Sequence, residues 1–263
     1  MLSPGLLCAV SSADGSVLWR KSEFPVADHI FLTTDKRTIL IVKQGGIYAN
    51  AVKTGRDLWQ FKPHDPAYTV AVPAPDGLFV STDLCYRIND SGRIIWKSRM
   101  TPNIYNSSLV SHPYKGRLYL CCTAEQSPWL FVLNGETGKA LWSKDIPTGA
   151  SVGLDDDGRL FAAAMNGLSC YDLATGVQRW STPLSYANAF NVYVDPHGKV
   201  FTSLDSTTIV QIDPSTGRIL AYYHIRVNLV DAMYNAHIQM SEDSAGDLVV
   251  NTTGGDVWSF RPV

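Results

Sequence analysis

A glycine followed four residues later by tryptophan returns five times along this chain, and no other feature constrains its folding as strongly. The pairs are Gly15/Trp19, Gly55/Trp59, Gly92/Trp96, Gly138/Trp142 and Gly176/Trp180. A sixth copy, Gly217-Arg-Ile-Leu-Ala221, has alanine in the tryptophan position. Successive glycines are 40, 37, 46, 38 and 41 residues apart. A period of this size marks a repeat architecture, in which each unit cannot bury its apolar face alone and must stack on its neighbours.

The copies share an internal grammar, clearest in the fifth. Ala150-Ser-Val-Gly-Leu leads to a turn at Asp156-Asp-Gly158, then to Arg159-Leu-Phe-Ala-Ala-Ala. A second turn at Asn166-Gly167 precedes Leu168-Ser-Cys-Tyr-Asp, and Ala174-Thr-Gly176 leads into Val177-Gln-Arg-Trp-Ser. Short β-rich runs joined by D-G, N-G and T-G turns form a meander of hairpins, because glycine reaches the positive φ that such turns require. Four strands per period, A to D from the axis outward, make one propeller blade. The expected fold is all-β: residues 1–263 as a single six-bladed β-propeller of four-stranded antiparallel blades. Five blades fall at about 27–63, 68–100, 105–146, 149–184 and 188–225. The sixth is closed by strands from both termini, 5–23 with 233–263, which removes two unpaired sheet edges. Both termini offer a C-like strand, so the count has one strand too many. The tryptophan falls on the outermost strand, where a large ring fills the gap between neighbouring blades.

Tyr171-Asp-Leu-Ala-Thr-Gly-Val-Gln-Arg-Trp180, Leu133-Asn-Gly-Glu-Thr-Gly-Lys-Ala-Leu-Trp142 and Ile212-Asp-Pro-Ser-Thr-Gly-Arg-Ile-Leu-Ala221 resemble the repeat of the PQQ-like (quinoprotein alcohol dehydrogenase-like) β-propeller superfamily. The resemblance covers essentially the whole chain. The superfamily includes quinoprotein alcohol dehydrogenases and the lipoprotein scaffold of the bacterial outer-membrane assembly machine. The motif marks blade packing, so it implies the fold and not the function. The dehydrogenases generally have eight blades, about twice this length, export, and a quinone held with calcium. None of these is visible here, and no cofactor is expected.

Composition narrows the partners. Charged residues make up 17% and the formal net charge is −2. No run of Lys and Arg forms a basic stripe, so a nucleic-acid partner is not expected. No segment approaches the roughly 20 apolar residues of a membrane span. The opening Met1-Leu-Ser-Pro-Gly-Leu-Leu7 lacks a basic n-region and a long h-region, so no signal peptide is read. The expected location is therefore cytoplasmic or unassigned, and a secreted chain already processed would read the same. Cys8, Cys85, Cys121, Cys122 and Cys170 match neither a disulfide framework nor a zinc pattern, and Cys8, Cys85 and Cys170, at related places inside apolar strands, read as buried inert thiols. Cys121-Cys122 invites comparison with the vicinal disulfide of some PQQ dehydrogenases. Neighbouring residues of a regular strand point to opposite faces, which argues against that bond. Asp155-Asp-Asp-Gly158 lacks the spacing of a calcium loop and reads as an A–B turn. Nucleophile elbow, P-loop and dinucleotide fingerprints are all missing from the sequence.

In a propeller the D–A and B–C loops open onto one face, where a pocket forms from the starts of A strands and the ends of B strands. Those positions hold Asp28, His29, Tyr105, Asn106, Asn188, Asn191, Tyr234, Asn235 and His237 on the A side. Lys43, Asp83, Glu125, Asn166 and Asp205 stand on the B side. Polar loop ends occur without function, because exposed backbone favours such residues. A catalytic pocket would use His29 or His237 as general base and Asp28 or Glu125 as acid or orienter. A binding pocket would use Tyr105, Asn106, Asn188, Asn191, Tyr234, Asn235, Lys43 and Asp83. Six-bladed enzymes of the lactonase type share the topology and hold an axial divalent ion. By that analogy Glu125, Asn166, Asn191 and Asp205 are oxygen donors for calcium or magnesium. The reading favoured is a propeller binding a small, rather apolar molecule or a peptide, with Phe190 and Met233 beside the loops. The alternative is a cofactor-independent or metal-assisted isomerase, lyase, cyclase or hydrolase.

Overall fold

In the computed structural model the described residues are 5–24, 29–43, 45–64, 69–98, 106–124, 129–146, 151–164, 167–184, 191–205, 207–226, 238–252 and 256–263. They form 25 β-strands and, among the described residues, no helix. The chain divides into two compact units, Met1–Ser111 with Thr137–Lys139, and His112–Glu136 with Ala140–Val263.

The strands pair as antiparallel meanders in seven sheets. β1 (Gly5–Val10) and β2 (Val17–Phe24) form a two-stranded sheet. Four strands each make up the next sheets: β3 (His29–Leu32), β4 (Thr38–Lys43), β5 (Gly46–Ala51) and β6 (Asp57–Phe61); then β7 (Val70–Ala74), β8 (Gly77–Ser81), β9 (Cys85–Asn89) and β10 (Ile94–Ser98). The fourth sheet holds β11 (Asn106–Tyr114), β12 (Arg117–Ala124), β13 (Trp129–Asn134) and β14 (Ala140–Asp145). β15 (Ser151–Leu154), β16 (Arg159–Ala164), β17 (Gly167–Asp172) and β18 (Gln178–Pro183) follow, and then β19 (Val192–Val194), β20 (Val200–Ser203), β21 (Thr208–Ile212) and β22 (Ile219–His224). β23 (Ile238–Glu242), β24 (Leu248–Thr252) and β25 (Val257–Phe260) complete the set as a three-stranded sheet. Both C-like terminal strands read from the sequence, β1 and β25, are therefore present.

Burial follows position within a sheet. The second strands are buried almost throughout: every residue of β8 and of β20, and all but the first of β16. A strand covered on both faces needs a continuous apolar run, which Arg159-Leu-Phe-Ala-Ala-Ala supplies after its first residue. The fourth strands β18 and β22 instead alternate between half-buried and exposed, as expected of strands with one wet face. The core lies between successive sheets. Leu40, Val42, Ile47 and Ala49 of β4 and β5 pack with Leu78, Val80, Tyr86 and Ile88 of β8 and β9. Phe161, Ala163, Leu168 and Cys170 pack likewise with Val200, Val210 and Ile212.

The glycine–tryptophan repeat clamps each of the first five sheets to the one that follows it. Gly55, Gly92, Gly138, Gly176 and Gly217 all have φ between +68° and +76°. A Cβ built on any of them would stand 2.5–2.8 Å from the indole of the preceding repeat: Trp19, Trp59, Trp96, Trp142 and Trp180 respectively. Only glycine satisfies both the left-handed backbone and the ring lying against it. Trp19, Trp59, Trp142 and Trp180 also each donate the indole N–H to a carbonyl of the same turn. Trp19 reaches Val52 at 2.7 Å, Trp59 reaches Asp90 at 3.0 Å, Trp142 reaches Leu173 at 2.9 Å and Trp180 reaches Pro214 at 3.0 Å. Gly15 shares the conformation, with φ +72°, but nothing stands within 4 Å of its would-be Cβ.

The thiols depart from expectation at one place. Cys85, Cys121, Cys122 and Cys170 are buried, but Cys8 on β1 is exposed, and all five are free. Cys121 and Cys122 lie in regular ladder register opposite Val132 and Phe131. Alternating strand geometry thus keeps the vicinal pair apart.

Candidate functional site

Each sheet is a meander, so its A–B and C–D turns lie at one end and its B–C and D–A connections at the other. The sequence placed the site at the second end. Asp28, Tyr105, Glu125, Asn166, Asn188, Tyr234, Asn235 and His237, with Phe190 and Met233, lie outside the described residues. His29 opens β3 with its side chain exposed and its ring 6.1 Å from that of Phe31. Among the described residues no carboxylate pairs with it. Asn106 is the first residue of β11.

Lys43 ends β4 buried, its ammonium 3.8 Å above the centre of the Tyr48 ring. Burial, reinforced by the charge of Lys21 and opposed by Asp57, lowers its pKa from the usual lysine value. Asn191 is a brace: its Nδ2 donates to the Ile238 carbonyl at 2.6 Å, tying β19 to β23, and its own carbonyl accepts from Thr202 Oγ1 at 2.9 Å. Asp205 caps its turn, accepting both N–H and O–H of Thr207 at 2.7 Å. Among the described residues no three His, Cys, Asp or Glu side chains stand together as a metal site.

Asp83, between β8 and β9, is the predicted site residue with the most developed surroundings. Its Oδ2 lies 2.8 Å from Nδ1 of His64, and Thr82 Oγ1 donates to its Oδ1 at 2.9 Å. The backbone N–H of His64 in turn donates to the Tyr86 hydroxyl at 3.2 Å. Burial, opposed by that hydrogen bond and aided by the Asp83 charge, raises the Tyr86 phenol pKa. The arrangement sets a largely exposed imidazole beside a carboxylate. Sequence reasoning missed His64, although it follows a D strand just as the chosen A-side residues do. Its signal was weak because it stands 19 residues from Asp83.

A cavity of about 550 Å³ opens at the other end of the strands, in the second unit. It is lined by the turns Asp155–Gly158 and Asp195–Gly198, with His112 and Tyr193. Asp155 Oδ1 accepts the N–H groups of Asp157 and Arg159 at 3.0 and 2.9 Å, and Gly158 has φ +71°, which confirms the expected turn. Arg159 bridges Asp155 and Asp157, while His112 stands 3.3 Å from Asp156. His197 stands 3.3 Å from Glu242. Asp155 and Asp195 are occupied by turn N–H groups, and Asp155 and Asp157 by the Arg159 guanidinium.

The family model described as outer membrane protein assembly factor BamB matches residues 3–223 and, a second time, 127–262. The chain belongs to this family. BamB-type chains carry the PQQ-like repeat, and the expected resemblance to that superfamily is thereby established. The solved structure of BamB from Moraxella catarrhalis superposes with a TM-score of 0.64 at 16% identity, over 99% of this chain and 84% of that one. KlHsv2 with loop 6CD replaced by a Gly-Ser linker gives a TM-score of 0.69 at 13% identity, over 95% of this chain and 83% of that one. No curated protein matches the chain. At these identities the likeness establishes the fold: this member of the BamB family is an all-β propeller protein. Among the described residues no helix is long and apolar enough to cross a membrane.

Proposed function

We propose that this chain is a non-catalytic binding propeller whose ligand is an extended peptide or protein segment held at the loop end of its sheets. The family match along nearly the whole chain carries this reading, because the family is described as an assembly factor for outer membrane proteins. An assembly factor has to hold another chain, which calls for a surface and not for a reaction centre. Tyr105, Asn106, Asn188, Tyr234 and Asn235 would hydrogen-bond the peptide backbone, with Phe190 and Met233 supplying apolar contact. The test is direct binding of the chain to peptides tiling an outer-membrane β-barrel protein, read by fluorescence anisotropy. Saturable binding of a subset, weakened by Tyr105→Ala with Tyr234→Ala, is the expected result. Binding of none, or chemical turnover of a small molecule that raises the melting temperature, would overturn it.

On the same reading the ring has six blades, one for each copy of the glycine motif. Two features support that count. Five sheets are complete with four strands each. Gly15 is also the one glycine of the motif with nothing over it, while the repeat ending in Ala221 is the one without a tryptophan to offer.

A further inference from the structure

The first unit holds a cavity of about 670 Å³ at the turn end of the sheet β3–β6. Lys36 and Arg37 of its A–B turn and Lys53 and Arg56 of its C–D turn line it, with Thr54 and no carboxylate among the lining residues. All four cations are exposed, and among the described residues none is in a salt bridge. Asp35, beside Arg37, accepts from Thr33 Oγ1 at 2.7 Å and from the Arg37 backbone N–H at 2.9 Å. The chain as a whole is slightly acidic, so this clustering does not follow from composition.

Arg37 and Arg56 stand at turn positions that are basic in other repeats too, as Arg159 and Lys199 and as Arg93, Lys139 and Arg218 show. The fold does not ask for a cation at positions 36 and 53. Position 53 corresponds to Ala13, Asp90, Glu136, Ala174 and Ser215 in the other C–D turns. Lys36 is the stronger case. Its N–H donates to the Thr33 carbonyl as Gly158, Gly198 and Gly246 donate to Asp155, Asp195 and Asp243, so it occupies the glycine position of the A–B turn. It does so with φ +57°, a left-handed conformation in which a side chain is strained. Among the described residues only Lys36 and Lys115 hold a positive φ without being glycine, and Lys36 is the one that lines this cavity, where strain of this kind points to function.

We infer that this cavity binds a small polyanion carrying two or more phosphate or carboxylate groups. The volume lies within the usual range for small-ligand sites, and two pairs of cations on neighbouring turns, joined by the Val52 N–H to the Arg37 carbonyl at 2.9 Å, suit a ligand with more than one charged group. The inference stands apart from the peptide-binding reading.

Calorimetric titration of the chain with inorganic tripolyphosphate and with citrate at low salt tests it, beside flotation with phosphatidylcholine vesicles with and without phosphatidylglycerol. The vesicle arm distinguishes a lipid headgroup from a free anion as the source. Lys36→Gly is the informative variant, since it should leave the melting temperature equal or higher while weakening binding about tenfold, a 1.4 kcal/mol loss. Lys53→Ala with Arg56→Val, which installs residues that the 174–177 turn already carries, should weaken it further. No binding of any probe by the native chain overturns the inference. So does binding that survives Lys36→Gly, or that falls equally in the control Lys139→Ala with Arg218→Val.

Discussion

Five free thiols in one chain experience opposite surroundings. Burial pushes the Cys170 thiol up to about 12 and raises that of Cys121 as well, so neither offers a thiolate at neutral pH. Cys8, on the outer face of β1, has no such cover. Native labelling with iodoacetamide should therefore modify Cys8 alone, with Cys85, Cys121, Cys122 and Cys170 reacting only on unfolding, as peptide mass mapping would read. Modification of Cys121 or Cys122 in the native protein would contradict the burial described here. The exposure of Cys8 was not legible in the sequence. Leu6-Leu-Cys-Ala-Val reads like any apolar C strand, and only the two-stranded sheet it belongs to shows that its cover differs from that of Cys85 or Cys170. Asp83 was legible as a loop-end polar residue, but its partner His64 was not. Nor were the four cations of the first unit's cavity, which lie in two turns 17 residues apart and form no run.

At the scale of the element, the clamp between a C–D glycine and the preceding tryptophan explains most of what the sequence disclosed. Gly and Trp four residues apart is a local spacing, but the contact it encodes runs from one repeat to the next, Trp142 onto Gly176 for instance. A repeat therefore shows its packing rule in the sequence, whereas a ligand site made of unlike turns does not. Gly176→Ala should be costly on two counts, a left-handed backbone and a methyl 2.7 Å from the indole. Strain and overpacking together amount to about 2–4 kcal/mol. Gly198→Ala, which has the same sign of φ but nothing within 4 Å, should cost only the first, about 1 kcal/mol. Equal losses for the two variants in urea unfolding would deny the clamp its role.

For the whole molecule, the five four-stranded sheets match the sequence-derived strand order, and the sheets at the two termini have two and three strands. If the ring closes as proposed, the repeat ending in Ala221 faces the turn of Gly15. A tryptophan there would then complete the sixth clamp. The direct measurement is a double-mutant cycle on chemical unfolding of the full chain with Ala221→Trp and Gly15→Ala. Closure with six blades predicts that Ala221→Trp alone stabilises by about 0.5–2 kcal/mol, as cavity-filling changes do. Gly15→Ala should erase that gain beyond its own cost, giving a coupling above about 0.5 kcal/mol. Additive effects, with no gain from the tryptophan, would contradict the closed six-bladed ring.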